Sequence, residues 1–208
     1  MGSRIPRLYA IIDAAQTGAK SPVYIAETLL LAGVRLIQYR DKTGTSRQLF
    51  EASREMAGRA SRANAFFIVN DRADIARASG ARGVHLGQAD LPVELARQVL
   101  HAGQWAGVST HTLSQISQAE SSSADYVAFG PIFATRSKDR PDPVVGLGGL
   151  REARGLTRKP LVAIGGITLA NASAVIEAGA DSVAVIHDLL VAEDIGARAQ
   201  EFLRLLGE

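Results

Sequence analysis

Eight short apolar segments recur along the chain, and polar segments with helical spacing separate them. Each apolar segment is nearly continuous in Val, Ile, Leu, Ala or Phe, which is typical of parallel strands covered on both faces. The chain therefore alternates between strand and helix throughout its length. The predicted strands span residues 7–12, 35–39, 65–69, 83–86, 107–109, 126–129, 161–164 and 182–186.

Capping residues mark several helix boundaries. Ser21 followed by Pro22 predicts the start of a helix that ends at Gly33. The spacing from Thr112 to Gln115 fits a capping box, in which the two side chains each bond to the other's backbone. Further helices are predicted to begin at Ser46, Asp90 and Thr168, and a last one to span Ile195–Leu206.

A weak internal repeat supports this organisation. A small residue at a helix end, a polar residue and then a strand recur at residues 33–36, 80–84, 123–127 and 179–183. Strand–helix alternation requires crossover connections, and evenly spaced units of this kind favour an α/β fold, a single-domain (β/α)8 TIM barrel over residues 1–208. An open, doubly wound sheet is the alternative fold, but the sequence marks no topological switch point for it.

Composition excludes several classes of protein. The chain has 208 residues, 47% hydrophobic and 21% charged, which suits a globular core. A net charge of +2 and 5% aromatic residues give little support to nucleic-acid binding. The absence of Cys excludes disulfides and cysteine nucleophiles. No apolar run approaches the roughly 20 residues of a membrane helix, and no signal-peptide core is present, so we expect a cytoplasmic protein.

Polar side chains follow the second predicted strand, at the end where barrel enzymes place their reactive groups. Gln38, Arg40 and Lys42 alternate along the chain, so an extended segment points all three in the same direction. Two cations and an amide suit an anionic substrate. A solvated, charged loop is the other interpretation.

Two carboxylates follow the next two strands. Asp71 comes after Asn70, and Asp90 follows the fourth strand. Each alone fits an ordinary turn or helix cap. Together, at neighbouring strand ends, they offer the oxygen ligands that Mg²⁺ takes alongside water and phosphate. Clusters of His or Cys with zinc spacing are absent from the sequence, so the predicted metal is Mg²⁺.

Two residues on the fourth and fifth strands remain ambiguous from the sequence. His85 alone is more often a packed, hydrogen-bonded histidine than a catalyst. Ser109 can donate to a substrate phosphate or bond to backbone. His111, in the same region, is better explained as the residue that precedes a helix cap than as a catalytic group.

The segments that follow the sixth and seventh predicted strands indicate a second anion site. The long loop over residues 134–144 carries Thr135, Ser137 and Lys138, whose hydroxyls and cation suit a phosphate. A solvated surface loop is the other interpretation. Gly165 and Gly166 precede the next helix, where backbone N–H groups can face an anion and where barrels frequently bind phosphate.

Taken together, these motifs resemble the thiamine-phosphate synthase family, and the resemblance covers nearly the whole chain. The fold it implies is a (β/α)8 barrel. The reaction it implies joins 4-amino-2-methyl-5-pyrimidinylmethyl diphosphate to 4-methyl-5-(2-phosphoethyl)thiazole and releases diphosphate. The motifs lie at residues 9–13, 38–42, 69–71, 85–90, 107–112, 130–133 and 164–167.

The resemblance also implies roles for individual residues. Diphosphate would be bound by Arg40, Lys42, Asn70 and Lys138, and Mg²⁺ by Asp71 and Asp90. The pyrimidine would contact Gln38 and His85, and Ser109 would touch the diphosphate or the reacting centre. The thiazole phosphate would be held by Thr135, Ser137, Gly166 and the backbone at Ile186 and His187. The implied catalytic residues are Arg40, Lys42, Ser109 and Lys138.

The implied mechanism is a Mg²⁺-assisted dissociative substitution, which needs neither a nucleophile nor a general base from the protein. Cations would neutralise the departing diphosphate, and positioning would let the thiazole nitrogen capture the pyrimidine methyl cation. Closure of the loop over residues 134–144 would keep water away from that cation.

Three positions depart from the family pattern. His187 replaces a small residue, often Ser; Ala134 replaces a common Pro; and Ser137 replaces a common Thr. The last two changes are mild. His187 either removes side-chain recognition of the thiazole phosphate or, as a cation, strengthens it.

Other functions stay open at this point. A thiazole tautomerase shares the barrel but uses a His directly after the strand-six glycine, where this chain has Pro131. A non-catalytic ligand-binding barrel and another phosphate-binding enzyme, for instance of tryptophan or histidine biosynthesis, are the remaining alternatives. The expected partners are small molecules, with no nucleic acid and no membrane, and a homo-oligomer stays open.

Overall fold

The computed structural model describes residues 5–135 and 142–208, which form a closed barrel of eight parallel strands. Each strand pairs with the next in chain order, and β8 returns to β1 through the pair Leu8 and Val183. The strands are β1 (Leu8–Asp13), β2 (Leu36–Arg40), β3 (Phe66–Asn70), β4 (Gly83–Leu86), β5 (Trp105–Thr110), β6 (Tyr126–Phe129), β7 (Leu161–Ile164) and β8 (Ser182–Val185).

Helices follow the strands and cover the outside of the barrel, and a short 3₁₀ helix, Ala14–Gln16, follows β1. The described α-helices are α1 (Pro22–Ala32), α2 (Ser46–Arg62), α3 (Ala73–Ser79), α4 (Val93–Val99), α5 (Leu113–Glu120), α6 (Gly146–Leu156), α7 (Ala172–Glu177), α8 (His187–Leu190) and α9 (Ile195–Leu206). The predicted (β/α)8 barrel is therefore confirmed, and the open-sheet alternative is wrong.

Strand positions were predicted closely, with small shifts at the ends. The fourth, sixth and seventh strands have the predicted bounds, whereas the first three each end one residue later. Those extra residues are Asp13, Arg40 and Asn70, polar groups that the apolar pattern leaves out although their backbone continues the sheet. β5 also begins earlier, at Trp105, because its paired partner Gly83 extends the ladder there.

The predicted helix caps are correct in part. Ser21 Oγ accepts from the N–H of Tyr24 at 3.1 Å, and Gly33 ends α1 with a φ of +108°. The capping box at the start of α5 is present as predicted. Asp90 and Thr168, however, do not begin helices, since α4 starts only after Pro92 and α7 only after Asn171.

The core has two layers because alternate strand residues face opposite sides of the barrel wall. One set fills the barrel interior, with Tyr9, Leu36, Ile68 and Tyr126 among its members. The other packs between the strands and the surrounding helices. In the residues that the structure describes, no helix combines the length and apolar character needed to cross a bilayer.

Candidate active site

A cavity of about 640 Å³ opens at the carboxyl ends of the barrel strands. Polar side chains at this mouth alternate with apolar wall residues such as Ile11, Val162 and Ala184. Most of the predicted site residues line this single cavity. They are Gln38, Arg40, Asn70, His85, Ser109, Thr135, Gly166, Ile186 and His187.

One side of the cavity carries the predicted cationic side chains, each paired with a carboxylate. Arg40, the last residue of β2, places Nη1 2.7 Å from Oδ2 of the buried Asp13 on β1. Lys42 lies two residues further and forms an ion pair with Asp71, while half of its side chain stays exposed. Asn70, at the end of β3, lines the cavity beside them.

The two predicted metal ligands lie next to each other. The Asp71 and Asp90 carboxyls are within hydrogen-bond reach of one another, and Asp90 Oδ2 also accepts from the N–H of Gly87 at 2.7 Å. Burial and then the hydrogen bond from Asp90 raise the pKa of Asp71, and Lys42 opposes the rise only in part. Two carboxylates in this arrangement require a shared proton or a cation.

This pair fits a Mg²⁺ site in its chemistry. Within residues 5–135 and 142–208, no three His, Asp or Glu side chains converge as a metal site. Mg²⁺ is usually held by only one or two carboxylates, with substrate phosphates and water completing its shell. Asp71 also has a φ of +62°, which lies in the left-handed region of backbone conformation. Asp tolerates this conformation better than most residues do.

The turn that carries Lys42 is organised by Asp41. Asp41 Oδ1 accepts from the N–H groups of Thr43 at 2.9 Å and Gly44 at 2.8 Å, and Oδ2 accepts from the Tyr39 hydroxyl at 3.1 Å. Burial alone would raise the pKa of Asp41, but these hydrogen bonds outweigh it and lower that pKa. Burial and the Asp41 charge in turn raise the pKa of Tyr39.

His85 and Ser109 are joined inside the barrel. His85 is 6% exposed, and its Nε2 lies 2.9 Å from Ser109 Oγ. His85 Nδ1 lies 3.0 Å from the hydroxyl of Tyr126. The sequence left His85 between a packed histidine and a functional one, and the structure places it as a buried, hydrogen-bonded ring that also lines the cavity.

The opposite side of the cavity is built from backbone after β7. Gly165 and Gly166 have φ values of +99° and +64°. A Cβ on Gly166 would lie 2.5 Å from the carbonyl oxygen of Ala134, and one on Gly165 would lie 2.5 Å from Cβ of Pro131. Two constraints therefore require glycine here: the positive φ of the backbone, and the close approach of the segment after β6 that contains Pro131 and Ala134.

The predicted phosphate ligands fall in two groups. Thr135, Ile186 and His187 line the cavity beside the glycine pair. The exposed ring of His187 turns its Nδ1 toward Gln16, 3.2 Å from Oε1. Ser137 and Lys138 lie outside the described residues, as does most of the loop whose closure we expected.

Among the described residues, several that line this cavity or contact its lining were given no functional role by the sequence analysis. Tyr9, Gln16 and His111 line the cavity, while Asp13 and Tyr126 contact residues that line it. His111 N–H bonds to Gln115 as expected of a residue before the cap, yet its Nδ1 also lies 2.6 Å from the Gly130 carbonyl oxygen. The sequence feature that could have identified Tyr9, Tyr126 and Asp13 is a tyrosine or an acid at an inward-facing strand position. The polar group of such a residue must find a hydrogen-bond partner inside the barrel.

The family model and the full-length relatives agree on one family. The family model described as thiamine monophosphate synthase matches residues 8–189. A thiamine-phosphate synthase of Koribacter versatilis is 51% identical over 99% of this chain and 98% of its own length. Another, of Chloroflexus aurantiacus, is 42% identical over 96% of this chain and 92% of its own length.

The fold comparison reaches the same result. The thiamine phosphate pyrophosphorylase of Pyrococcus furiosus superposes with a TM-score of 0.87 at 32% identity, covering 97% of this chain and 95% of that protein. A tryptophan synthase α-subunit at 16% identity, with a TM-score of 0.68, shares the barrel fold alone. The family match over most of the chain and the full-length relatives establish that this chain belongs to the thiamine monophosphate synthase family.

Proposed function

We propose that this chain is a thiamine-phosphate synthase, a transferase that joins the pyrimidinylmethyl diphosphate to the thiazole phosphate and releases diphosphate. The observation that carries the proposal is one cavity lined by two different kinds of group that can face an anion. Arg40 and Asn70 line one side, where Asp71 directly follows Asn70 and meets Asp90, and Gly165 and Gly166 line the other. The relatives of the same length that bear this name support the assignment.

Mg²⁺ fits the side of the cavity that carries Arg40, where Asp71 and Asp90 would hold it. When bound, the metal would supply positive charge to the diphosphate oxygens. Arg40 and Lys42 would add positive charge that favours departure of the diphosphate. The side-chain amide of Asn70 would donate a hydrogen bond to the same diphosphate. Lys138 belongs to this proposed set by family resemblance and Ser109 by its position at the cavity wall.

In the proposed reaction, the bond between the pyrimidine methylene carbon and the diphosphate oxygen breaks, and diphosphate keeps the electron pair. The thiazole nitrogen then forms the new carbon–nitrogen bond. The protein contributes by positioning the two substrates. Gln38 and His85 would hold the pyrimidine. The thiazole phosphate would be held by Gly166, the backbone at Ile186 and His187, and the loop residues Thr135 and Ser137. Apolar walls at Ile11 and Val162 would limit the access of water to the cation.

A product assay tests the proposal. Purified protein is mixed with both substrates and Mg²⁺, and thiamine phosphate and diphosphate are followed with and without EDTA. Asp71→Asn is expected to lower kcat at least 100-fold, because it removes one of two carboxylates at the diphosphate side. Asp74→Asn is the matched control, since Asp74 is exposed and pairs with Arg72 in the same connection.

The outcomes separate the alternatives. Metal-dependent product that is lost in Asp71→Asn and kept in Asp74→Asn supports the transferase. Folded protein that makes no product would overturn it, and conversion of the thiazole tautomer would then be assayed. That isomerase is already disfavoured because Pro131, not a histidine, lines the cavity after Gly130.

A further inference from the structure

A continuous chain of hydrogen bonds crosses the barrel interior. Gln38 Nε2 donates to the Tyr9 hydroxyl at 2.7 Å, and the Tyr9 hydroxyl lies 3.0 Å from that of Tyr126. The Tyr126 hydroxyl lies 3.0 Å from His85 Nδ1, and His85 Nε2 lies 2.9 Å from Ser109 Oγ. These five side chains come from five strands, and we call them the interior relay.

Close packing holds the centre of the interior relay. Tyr9 and Tyr126 are each 1% exposed, and their rings meet edge to face with centroids 6.1 Å apart. The His85 ring stacks on Tyr126 at a centroid distance of 5.5 Å. A Cβ on Gly107 would lie 2.0 Å from Cζ of Tyr126, so that glycine makes the space which the tyrosine ring occupies.

The direction of the interior relay follows from its first member. An amide nitrogen donates hydrogen bonds and does not accept them, so Tyr9 must accept from Gln38. Burial raises the pKa of both Tyr9 and Tyr126, and each therefore keeps a single proton to donate. Among the described residues, the second partner of the Tyr9 hydroxyl is Tyr126, which places the Tyr9 proton in that bond.

The same reasoning extends to the histidine. Tyr126 accepts from Tyr9, so its own proton is available for His85 Nδ1. If Nδ1 carried a proton instead, a buried hydroxyl would hold a proton with no acceptor, which folded proteins rarely tolerate. Nδ1 is then the acceptor, and the ring proton lies on Nε2, facing Ser109.

We propose that the interior relay holds His85 as the neutral Nε2–H tautomer and that Tyr126 is the positioning residue that fixes it. His85 then donates to Ser109 Oγ, so the Ser109 proton is directed toward the cavity. At the other end, Gln38 lines the cavity, and because its Nε2 donates to Tyr9, its side-chain oxygen Oε1 is the acceptor left for a ligand. Neither tyrosine needs to touch substrate for this effect.

The consequence for catalysis rests on the proposed function. The donor end at Ser109 suits an anionic diphosphate oxygen, and the acceptor end at Gln38 suits the exocyclic amino group of the pyrimidine. The interior relay would thereby give the two ends of one substrate opposite hydrogen-bonding partners. A reversed relay would offer each end the wrong partner and weaken binding in the orientation that leads to reaction.

The tautomer can be measured without any substrate. The chain has four histidines, so ¹⁵N-labelled histidine gives few signals, and the His85 signals are assigned by their loss in His85→Asn. We expect an unprotonated, hydrogen-bonded Nδ1 and a protonated Nε2. A protonated Nδ1 in the free protein would overturn the proposal, whether or not the protein makes thiamine phosphate.

Two conservative variants test which tyrosine fixes the ring. Tyr126→Phe removes the donor to Nδ1, so the Nδ1 resonance is expected to move and an Nδ1–H fraction to appear. Tyr9→Phe leaves the Tyr126 proton with His85 as its acceptor, so the Nε2–H tautomer is expected to persist. An unchanged His85 spectrum in Tyr126→Phe, or a lost tautomer in Tyr9→Phe, would contradict the proposal.

Kinetics give a second readout for the same pair of variants. Tyr126→Phe is expected to lower kcat roughly 3- to 10-fold, the size of one lost hydrogen bond, with the KM for the thiazole phosphate unchanged. Tyr9→Phe disturbs Gln38 and is expected to raise the KM for the pyrimidine diphosphate. A merely structural role would instead lower thermal stability in both variants and leave the tautomer as it was.

Discussion

Arg40 Nη1 lies 2.7 Å from Oδ2 of Asp13, and the two residues are also direct neighbours in the register of β1 and β2. Asp13 is 3% exposed. Its Oδ1 accepts from the N–H of Ala15 at 3.2 Å, and Oδ2 lies 3.4 Å from Gln16 Nε2. One buried carboxylate therefore holds the guanidinium at the cavity and anchors the turn that carries Gln16.

Asp13→Asn is expected to weaken this support. If the new side-chain amide kept its oxygen toward Ala15, its nitrogen would face the Arg40 guanidinium, and two donors would oppose each other. We expect kcat/KM for the pyrimidine diphosphate to fall roughly 10-fold and the free energy of unfolding to fall by about 1–3 kcal/mol. Steady-state kinetics and urea denaturation measure the two effects.

The control for this change is an ion pair far from the cavity. Glu55 pairs with Arg59 along the exposed face of α2 at 2.8 Å. Glu55→Gln is expected to change stability by less than about 0.5 kcal/mol and to leave kcat/KM unchanged. Equal kinetic effects in the two variants would show that Asp13 has no specific role in positioning Arg40.

Gly166→Ala tests the glycine side of the cavity. The residue has a φ of +64°, and its new Cβ would meet the Ala134 carbonyl oxygen at 2.5 Å. We expect the KM for the thiazole phosphate to rise at least 10-fold, because the backbone that would face the phosphate must move. The backbone conformation adds a stability loss of about 1–2 kcal/mol.

Gly80→Ala separates these two causes. Gly80 has a φ of +72° at the end of α3, and an added Cβ would meet nothing within 4 Å. It carries the conformational cost without the collision, so stability should fall while the KM stays constant. If Gly80→Ala raised the KM as much as Gly166→Ala, the effect would come from general destabilisation and not from the phosphate site.

His187→Ser introduces the small residue that the family resemblance implies at this position. The His187 ring is exposed and contacts Gln16, and its backbone is the part expected to serve the phosphate. We therefore expect the KM for the thiazole phosphate to change less than about 3-fold, the size of a weak neutral hydrogen bond. A rise above 10-fold would show that the ring itself binds the phosphate, and Gln16→Ala would then be measured as its partner.

The barrel could be predicted from the sequence because its signal is local and repeated. Continuous apolar segments mark buried parallel strands, and Ser21 and Gly33 mark helix ends through bonds to their own neighbours. The apolar pattern predicts strand ends such as Arg40 one residue early, because a polar residue indicates the end of a strand. In this barrel, polar residues extend the strands into the cavity.

Only those residues of the candidate site that belong to short sequence motifs could be predicted. The sequence predicts that Asp71 and Asp90 lie together because parallel strand ends meet at one edge, and the structure brings their carboxyls within hydrogen-bond reach. The contacts of Tyr9 with Tyr126 and of Gln16 with His187 join residues 117 and 171 positions apart. Such pairs depend on barrel closure and side-chain direction, which no local pattern contains.

The turn before α2 provides a prediction for stability against pH. Hydrogen bonds from Thr43, Gly44 and Tyr39 lower the pKa of Asp41 in the folded protein, despite its partial burial. Its stabilisation is therefore present above the ordinary pKa of about 3.9 and is lost as the pH falls through the lower folded value. Asp41→Asn keeps an amide oxygen for the N–H groups but turns a donor toward the Tyr39 hydroxyl, so it should cost about 1 kcal/mol at pH 7 and progressively less below about pH 4. Urea denaturation of both proteins across this range measures the difference, and a gap that stays constant with pH would show that the Asp41 charge contributes nothing.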